Sequence, residues 1–213
     1  MSKNTDQMKK WRGRFGKEYT KRNVSTLKKI NKNYKDEFGI TKTEMYKAFI
    51  GKLDKSIKIL EVGSNIGNQL LILQKLGFKN LYGIEINKYA IEEARLRLNN
   101  INIIDGSALD IPFKDNFFDL VFTSGVLIHI SPRDINLVIK EIYRCSKNYI
   151  LGYEYYADKY TEVIYRGNKN LLWKTNFSRL FLNKFPKLRL IKRRILKYKD
   201  NDNRNIIYLL EKK

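Results

Sequence analysis

A short apolar stretch that runs into a glycine-bracketed loop constrains the fold of this 213-residue sequence more than any other feature. Residues 57–67 read I-K-I-L-E-V-G-S-N-I-G, and leucines follow at helical spacing. Apolar, partly β-branched residues up to Val62 are typical of a buried parallel strand. Gly63 and Gly67 would let a ligand approach the backbone N–H groups at the start of a helix. A plain strand-to-helix turn is the alternative interpretation, because the spacing is G-x-x-x-G and not the dinucleotide G-x-G-x-x-G.

The rest of the chain alternates between strand-like and helix-like segments. The pattern predicts helices at residues 66–76, 90–98 and 133–144, and strands at residues 81–86, 101–104, 117–122 and 149–151. Such alternation predicts an α/β fold with a doubly wound, mostly parallel sheet. Two further strand-like runs, 188–196 and 206–210, flank a polar turn and predict a C-terminal antiparallel hairpin.

The segment before the first strand is predicted to be helical. Residues 23–25 are expected to cap one helix that ends near Gly39, and Thr43 is expected to cap the next. Residues 11–23 read W-R-G-R-F-G-K-E-Y-T-K-R-N and are dense in aromatic and basic side chains. They are interpreted as a lid over the ligand or, more simply, as a cap on the sheet. We therefore expect a helical cap at 1–56 and a catalytic unit at 57–213.

Composition excludes several classes of site. Hydrophobic residues make up 43% of the sequence, which is typical of a globular protein. A single Cys and a single His exclude an internal disulfide and a His/Cys metal cluster, so we expect no metal. No apolar run reaches the roughly 20 residues that a membrane span needs. The first residues also lack the apolar segment of a signal peptide, so the cytoplasm is the expected location.

The formal net charge is +21, but its meaning is open. Such a surface suits nucleic acid, anionic lipid or an acidic small molecule. However, 30 of the 43 basic residues are Lys and they are spread along the chain. The charge therefore also fits an AT-rich coding sequence without a charged partner.

In a protein with an open parallel sheet, the ligand-binding site is expected beyond the carboxyl ends of the strands. Those ends lie in residues 61–67, 85–87, 105–108 and 123–130. Glu85 follows the glycine loop by about 20 residues, where a carboxylate can accept hydrogen bonds from both hydroxyls of a ribose. A solvated carboxylate is the alternative. The third loop would lie beside a nucleobase.

These four segments resemble the class I S-adenosylmethionine-dependent methyltransferases. The matching motifs are E-V-G-S-N-I-G, G-I-E-I-N, G-S-A-L-D-I-P-F and F-F-D-L-V-F, in that order and at family-like spacing. The resemblance implies a seven-stranded Rossmann-like sheet and S-adenosyl-L-methionine as cofactor. It assigns Glu61 to the methionine ammonium and Glu85 to the ribose. The full implied cofactor set is Glu61, Gly63, Ser64, Asn65, Gly67, Glu85, Ile86, Ser107, Ala108 and Thr123.

More narrowly, the chain resembles the pseudaminic acid biosynthesis-associated methylases. This resemblance is carried by residues 11–23, by G-V-L-I-H-I-S-P, and by the E-Y-Y, Y-R-G and L-L-W-K motifs that follow. It implies methylation of an acidic sugar, sugar nucleotide or surface-glycan intermediate. The expected acceptor-binding residues are Tyr19, Arg22, Glu154, Tyr155, Tyr156, Tyr165, Arg166 and Lys174. Packing within surface loops is the alternative for this group.

Ser107 and His129 are candidate site residues whose roles have specific alternatives. Many relatives carry an acidic residue where this chain has Ser107, so either Ser107 or Asp105 is expected to face the adenine amino group. His129 has a side chain whose ordinary pKa is near neutrality and lies just past the fourth predicted strand. It is the candidate catalytic base, and the alternative is a histidine that caps a backbone group.

Three rival functions remain at this stage. A nucleic-acid methyltransferase would explain the charge, but the fourth strand ends in T-S-G-V and lacks the Asn/Asp-Pro-Pro-aromatic turn of base-amino methylating enzymes. A dehydrogenase is disfavoured by the glycine spacing. A cofactor-binding protein without catalytic activity is the third possibility. The sequence leaves the oligomeric state and the acceptor atom open.

Overall fold

The fold is organised around one seven-stranded sheet. The computed structural model describes residues 4–213, so the first three residues of the predicted cap lie outside the described part. The strands are β1 (Lys58–Val62), β2 (Asn80–Glu85), β3 (Asn102–Asp105), β4 (Phe118–Ser124), β5 (Ser146–Tyr155), β6 (Thr161–Tyr165), β7 (Asn168–Lys174), β8 (Leu188–Lys197) and β9 (Arg204–Lys212). Strands β6 and β7 form a separate two-stranded sheet.

Helices precede the first strand and alternate with the strands that follow. They are α1 (Asp6–Arg12), α2 (Arg14–Asn23), α3 (Leu27–Phe38), α4 (Lys42–Ile50), α5 (Asn68–Lys75), α6 (Lys88–Arg97), α7 (Ile135–Cys145) and α8 (Phe177–Lys184). A short 3-10 turn, Leu127–His129, follows β4. No helix within residues 4–213 is long and apolar enough to cross a membrane.

The strand order is β3-β2-β1-β4-β5-β9-β8. Strands β1 to β5 pair in parallel, whereas β9 runs antiparallel to both β5 and β8. The predicted doubly wound sheet with a C-terminal hairpin is therefore confirmed. Val62, the last residue of β1, is in register with Ile84 of β2 and Thr123 of β4. The loops after β1, β2 and β4 consequently meet at one edge, where the strand order reverses.

Two apolar clusters cover the two faces of the sheet. Alternate residues of β1 point to opposite faces, so Leu60 and Val62 belong to one cluster and Ile59 to the other. This explains why β1 reads as a nearly continuous apolar run. Glu61 interrupts that run and is only 1% exposed, which places a carboxylate inside the protein at the end of the strand.

The helix caps differ by a few residues from the prediction. Thr26 caps α3, where residues 23–25 were expected to, and its side chain accepts a hydrogen bond from the Lys29 N–H. Thr41 caps α4 through a capping box with Glu44, so the prediction of Thr43 is wrong. Thr43 instead hydrogen-bonds to Asn31 of α3. Thr41 and Thr43 lie close together at the start of α4 and have the same capping chemistry, but Thr41 is the one that pairs reciprocally with Glu44.

The segment between β5 and β8 contains structure that the sequence pattern did not predict. Strand β5 extends to Tyr155, and a β6–β7 hairpin and helix α8 follow it. Most of β6 is exposed, so it lacks the alternation of buried residues that marks a strand in a sequence. Glu154 and Tyr155 therefore lie on β5, whereas the prediction placed them after it.

Candidate functional site

A cavity of about 160 Å³ lies where the loops after β1, β2 and β3 meet the N-terminal helices. It collects most of the cofactor residues predicted from sequence. Those that line it are Glu61, Gly63, Ser64, Asn65, Glu85, Ile86, Ser107 and Ala108. The candidate base His129 and the lid residues Trp11 and Tyr19 line it as well.

The Glu85 carboxylate joins two of these loops. Its Oε1 accepts hydrogen bonds from the backbone N–H groups of Ile86 at 2.8 Å and Asn87 at 2.9 Å. Its Oε2 accepts one from the Asn65 N–H at 2.8 Å. Asn65 has a positive φ of 47°, so the carboxylate stabilises a backbone conformation that is otherwise uncommon. Burial raises the pKa of Glu85, while these backbone hydrogen bonds oppose that shift.

The two loop glycines are required for a different reason from the one the sequence suggested. A Cβ at Gly63 would lie 2.6 Å from a methyl carbon of Val126, and a Cβ at Gly67 would lie 2.4 Å from Leu98 Cδ1. Both have φ near +70°, which L side chains rarely adopt. Close packing and backbone conformation, not ligand approach alone, therefore demand glycine here. Gly67 begins α5 and does not line the cavity.

Helices α1 and α2 lie across the cavity and hydrogen-bond to its loops. The Asn87 side-chain amide donates to the Trp11 carbonyl at 2.7 Å, and that of Asn65 donates to Thr20 Oγ1 at 2.9 Å. The Asn68 amide donates to the Asn23 carbonyl at 3.1 Å. These contacts place the predicted aromatic and basic segment directly over the cavity.

The third loop is also in contact with the lid. Ser107 is buried, its Oγ accepts a hydrogen bond from the Leu109 N–H at 3.1 Å, and Met8 Sδ of α1 lies 3.7 Å from it. Asp105, the alternative partner for an adenine amino group, is exposed and is not part of the cavity lining. Ser107 is thus the member of the pair that faces the cavity.

Several buried polar atoms around this cavity have no hydrogen-bond partner within the described residues. They are Trp11 Nε1, Glu61 Oε2, Ser64 Oγ, Asn65 Oδ1, Asn68 Oδ1 and Gln69 Oε1. Buried polar groups are normally paired, so this cluster is the signature of a polar ligand site. Burial raises the pKa of Glu61 well above its ordinary value, and a bound ammonium group would favour the charged form again. The set suits an amino acid moiety next to a nucleoside.

A second cavity of about 390 Å³ adjoins the first. We call it the acceptor chamber because several residues predicted to bind the acceptor line it. Residues shared between the two linings include Tyr19, Gln69, Ser124 and His129, so the two spaces meet at these side chains. The polar and charged side chains that line the chamber are mainly those of tyrosines, of residues with side-chain amides and of basic residues. They include Tyr19, Arg22, Asn23, Lys29, Asn33, Tyr34, Lys42, Tyr153, Glu154, Tyr155, Tyr165, Tyr198 and Asn205.

His129 stands between the two cavities. Its Nδ1 is 2.7 Å from the Leu171 carbonyl, which requires the proton to be on Nδ1 and leaves the Nε2 lone pair available. The ring packs against Trp11 and Tyr165, with centroid distances of 4.6 and 5.3 Å. Burial lowers the pKa of His129 to about 4, so the ring is neutral at neutral pH.

Glu154 is a buried acid beneath the loop after β4. Its carboxylate accepts hydrogen bonds from the Val126 N–H at 3.2 Å and the Ile128 N–H at 3.4 Å. It also interacts with the side chain of Thr123. Burial raises its pKa to about 7. Glu154 therefore positions the loop that carries His129 as well as lining the chamber. Thr123 is a buried residue of β4 and lines neither of the two cavities.

Three residues predicted to bind the acceptor lie outside both cavities. The Tyr156 hydroxyl donates to Asp158 Oδ1 at 2.6 Å, and Arg166 is exposed in the β6–β7 turn. Lys174 hydrogen-bonds to the side chain of Asn203. Each side chain thus has a local partner or faces solvent, so the structure places these three residues away from the two cavities, and their role in acceptor binding stays a prediction.

Sequence reasoning missed two residues of the site. Asn87 caps α6 and donates a hydrogen bond to the Trp11 carbonyl. Its position two residues after Glu85 was an available signal. Lys42 is 5% exposed and lines the acceptor chamber. Its position in the first turn of a helix otherwise resembles an ordinary surface lysine, so no sequence signal marked it. Within the described residues no cluster of His, Cys, Asp or Glu could hold a metal ion.

Comparison with known families supports a methyltransferase domain. Residues 60–149 match the family described as "Methyltransferase domain". Phosphoethanolamine N-methyltransferase of Plasmodium falciparum is 26% identical over 134 residues, which cover 61% of this chain and 50% of that protein. 24-methylenesterol C-methyltransferase 2 of Arabidopsis thaliana is 30% identical over 123 residues, covering 50% and 34%. The chain thus spans half or less of the length of these relatives.

Solved structures share the fold over most of the chain. A putative S-adenosylmethionine dependent methyltransferase from Listeria monocytogenes superposes with a TM-score of 0.64 at 12% identity, covering 80% of this chain and 98% of that one. The Burkholderia thailandensis 1,6-didemethyltoxoflavin-N1-methyltransferase, solved with S-adenosylhomocysteine, gives a TM-score of 0.64 at 11% identity, covering 80% and 76%. The fold is Rossmann-like. The matched domain makes S-adenosylmethionine the expected cofactor of the cavity.

Substituting Gly16 should loosen the lid without disturbing the core. A Cβ at Gly16 would lie 1.8 Å from the Trp11 carbonyl oxygen and 2.6 Å from Asn87 Nδ2, the two partners of the lid contact. We expect Gly16→Ala to weaken S-adenosylhomocysteine binding, measured by calorimetry, by about tenfold, because one buried hydrogen bond is lost. Gly13→Ala is the control, because its nearest atom is 3.2 Å away. Equal affinities for the two variants would contradict this role of the lid.

Glu85→Gln should weaken cofactor binding even though the substitution leaves the size of the side chain unchanged. The amide offers one acceptor oxygen where the carboxylate offers two, so the hydrogen bonds to the two loops cannot both be kept. We expect S-adenosylhomocysteine affinity to fall by roughly 10- to 100-fold, as for hydrogen bonds to a charged group. Glu92→Gln, on the exposed side of α6, is the matched control. Unchanged affinity in Glu85→Gln would remove the assignment of Glu85 to the ribose.

Proposed function

We propose that this chain, whose residues 60–149 form an S-adenosylmethionine-dependent methyltransferase domain, methylates an acidic sugar, sugar nucleotide or surface-glycan intermediate. Pseudaminic acid or a related polysaccharide precursor is the proposed pathway context, on the basis of the sequence resemblance. The observation that carries the proposal is the acceptor chamber, which opens on the cofactor cavity at His129 and has a polar lining whose charged groups are mostly basic. The helical cap, residues 1–56, is proposed as the lid of this single unit.

The lining of the chamber favours an anionic, hydroxyl-rich acceptor. Arg22, Lys29 and Lys42 line it, whereas Glu154 is the one carboxylate among the described lining residues. Arg and Lys bind carboxylate and phosphate groups. Tyrosine hydroxyls and side-chain amides donate and accept hydrogen bonds, which suits the hydroxyl groups of a sugar. A sterol, the substrate class named for one relative, would leave these polar groups unpaired.

The residues of the first cavity fit the cofactor. Glu61 would bind the methionine ammonium, and Gly63, Ser64 and Asn65 would surround the methionine part. Glu85 keeps unused lone pairs for the ribose, and Ile86, Ser107 and Ala108 would flank the adenine. When bound, S-adenosylmethionine supplies a methyl group that is activated for displacement by a nucleophile.

The protein then has to align the acceptor and remove its proton. His129 is proposed as the base, because Nδ1–H donation to the Leu171 carbonyl fixes the tautomer and leaves Nε2 to accept a proton. The ring lines both cavities. The reacting hydroxyl or amine of the acceptor would lie where the two cavities meet. Tyr19, Tyr155 and Tyr165 would orient the acceptor from the chamber wall. The lid excludes water from the reacting groups.

A small phosphorylated amine is the second candidate acceptor. It is favoured by the same basic lining and by the relative named as a phosphoethanolamine N-methyltransferase. The chamber chemistry alone does not separate a phosphate from a carboxylate, since both accept from Arg and Lys.

Methyl transfer to a defined set of acceptors tests the proposal. Purified protein is incubated with S-adenosylmethionine labelled in the methyl group and with N-acetylneuraminate, UDP-N-acetylglucosamine, phosphoethanolamine, N-acetylglucosamine or duplex DNA. We expect a labelled product with an acidic sugar or sugar nucleotide, because its anionic group matches the chamber. Labelling of phosphoethanolamine alone would select the second candidate, and labelling of DNA would refute a small-molecule acceptor. In the host, deletion of the gene should remove a methyl group from acidic glycans or nucleotide sugars detected by mass spectrometry.

His129→Gln should reduce methyl transfer and leave cofactor binding intact. Loss of a positioned base lowers rates by roughly 100-fold or more. The lowered pKa of His129 keeps the wild-type ring neutral above about pH 5. Titration of His129 should therefore not change the wild-type rate between pH 6 and 8. As pH falls towards 4 the ring gains a proton, and the rate should decline in the wild type only. An identical rate and pH profile in the variant would exclude His129 as the base.

A further inference from the structure

The strongest unexplained feature of the acceptor chamber is the buried amine of Lys42. This residue begins α4 and is only 5% exposed. Its Nζ lies 4.7 Å from the centre of the Tyr34 ring and 4.9 Å from that of Tyr153. Ser124 Oγ is 3.4 Å away and is the hydrogen-bond partner of the amine. The ammonium is thus held between two aromatic rings with one weak acceptor.

No carboxylate within the described residues forms an ion pair with Lys42. The ion pairs within 4.0 Å involve other residues, mostly on the surface. Glu61 and Glu154 act on the amine only over a longer range, and burial lowers its pKa to about 8. A buried ammonium without a directly paired carboxylate is costly in free energy. Such a cost is commonly retained at a functional site, where a ligand supplies the missing charge.

Geometry assigns the missing partner to the acceptor. Lys42, Tyr34, Ser124 and Tyr153 all line the acceptor chamber, whereas Lys42 and the two tyrosines do not line the cofactor cavity. The carboxylate of the cofactor is therefore not the expected partner. Arg22 and Lys29 also line the chamber but are exposed, so they would attract an anion without holding it in a dry environment.

We propose that Lys42 is the anchor for the anionic group of the acceptor, a carboxylate or a phosphate, and that it determines the specificity for acidic acceptors. The Tyr34 and Tyr153 rings restrain the amine so that little conformational freedom is lost when the anion binds. Pairing in this desolvated position is stronger than pairing at the exposed rim. This inference rests on the proposed function, since it names the residue that would recognise the acceptor of that reaction.

The experiment measures binding of simple anionic probes to protein saturated with S-adenosylhomocysteine. N-acetylneuraminate provides the carboxylate, inorganic phosphate provides the alternative anion, and N-acetylglucosamine is the neutral probe. Calorimetric titrations compare the wild type with Lys42→Met, Lys42→Arg and Lys47→Met. Lys47 lies on the same helix but is exposed and outside both cavities, so it is the matched control.

We expect the wild type and Lys47→Met to bind at least one anionic probe more tightly than the neutral sugar. Lys42→Met should weaken anion binding by about 30-fold or more, as for truncation of one partner in a buried charge pair. Lys42→Arg should retain part of the affinity. Whichever anion shows the larger loss identifies the group that Lys42 binds.

Two further measurements separate this role from a structural one. Lys42→Met removes a buried charge, so its melting temperature should stay within about 2 °C of the wild type or rise. S-adenosylhomocysteine affinity should change far less than anion affinity, because Lys42 does not line the cofactor cavity and Glu61 acts on it only at longer range. A melting temperature lowered by more than about 5 °C would indicate that Lys42 supports the fold. In that case Lys42→Arg becomes the test variant, and it would have to be folded and show altered anion binding.

Several results would overturn the inference. Equal anion affinity in the wild type and in a folded Lys42 variant would do so, and so would a wild type that binds neither anion while it still binds S-adenosylhomocysteine. Failure of the wild type to bind S-adenosylhomocysteine would instead contradict the proposed function itself.

Discussion

The site depends on one buried carboxylate at the carboxyl end of β2. Glu85 accepts backbone hydrogen bonds from the loops after β1 and β2, so it fixes the relative position of two loops that line the cofactor cavity. It also holds Asn65 in a left-handed conformation, from which the Asn65 amide reaches the lid. Asn87, two residues further on, reaches the lid as well. One side chain thus organises loop geometry and the attachment of the cap.

Helices α1 and α2, the part of the cap that covers the cofactor cavity, are joined to the site mainly by polar contacts, although Met8 of α1 packs in a core cluster. Amide groups of Asn65, Asn68 and Asn87 each donate one hydrogen bond to these helices, and such bonds contribute about 1 kcal/mol each. The apolar clusters on the two faces of the sheet are far more extensive. Opening of the lid should therefore cost much less free energy than unfolding, which is what exchange of cofactor and product requires. The aromatic contact of Trp11 with His129 links the lid to the acceptor side.

Sequence patterns predicted those parts of the structure that arise from local rules. The strand-loop-helix at residues 57–67, the acid at the end of β2 and the C-terminal hairpin follow from periodicity, glycine placement and strand order, and the sheet confirms this architecture. The β6–β7 hairpin was missed because β6 is mostly exposed and the buried residues of β7 are consecutive, so neither strand shows an alternating pattern in the sequence. Lys42 was missed for the opposite reason. Its burial results from the packing of α4 against distant segments, and no local pattern records it.

The location of charge, more than its total, determines what the chamber can recognise. The net charge of +21 is distributed along the chain, and exposed positive groups are screened within about 8–10 Å at physiological salt. Arg22 and Lys29 belong to this screened population. Lys42 is different because the protein has removed water from its amine and left it without a paired carboxylate. An abundance of surface lysine, whatever its origin, therefore neither supports nor excludes an acidic acceptor, whereas a single buried amine on the chamber wall argues for one.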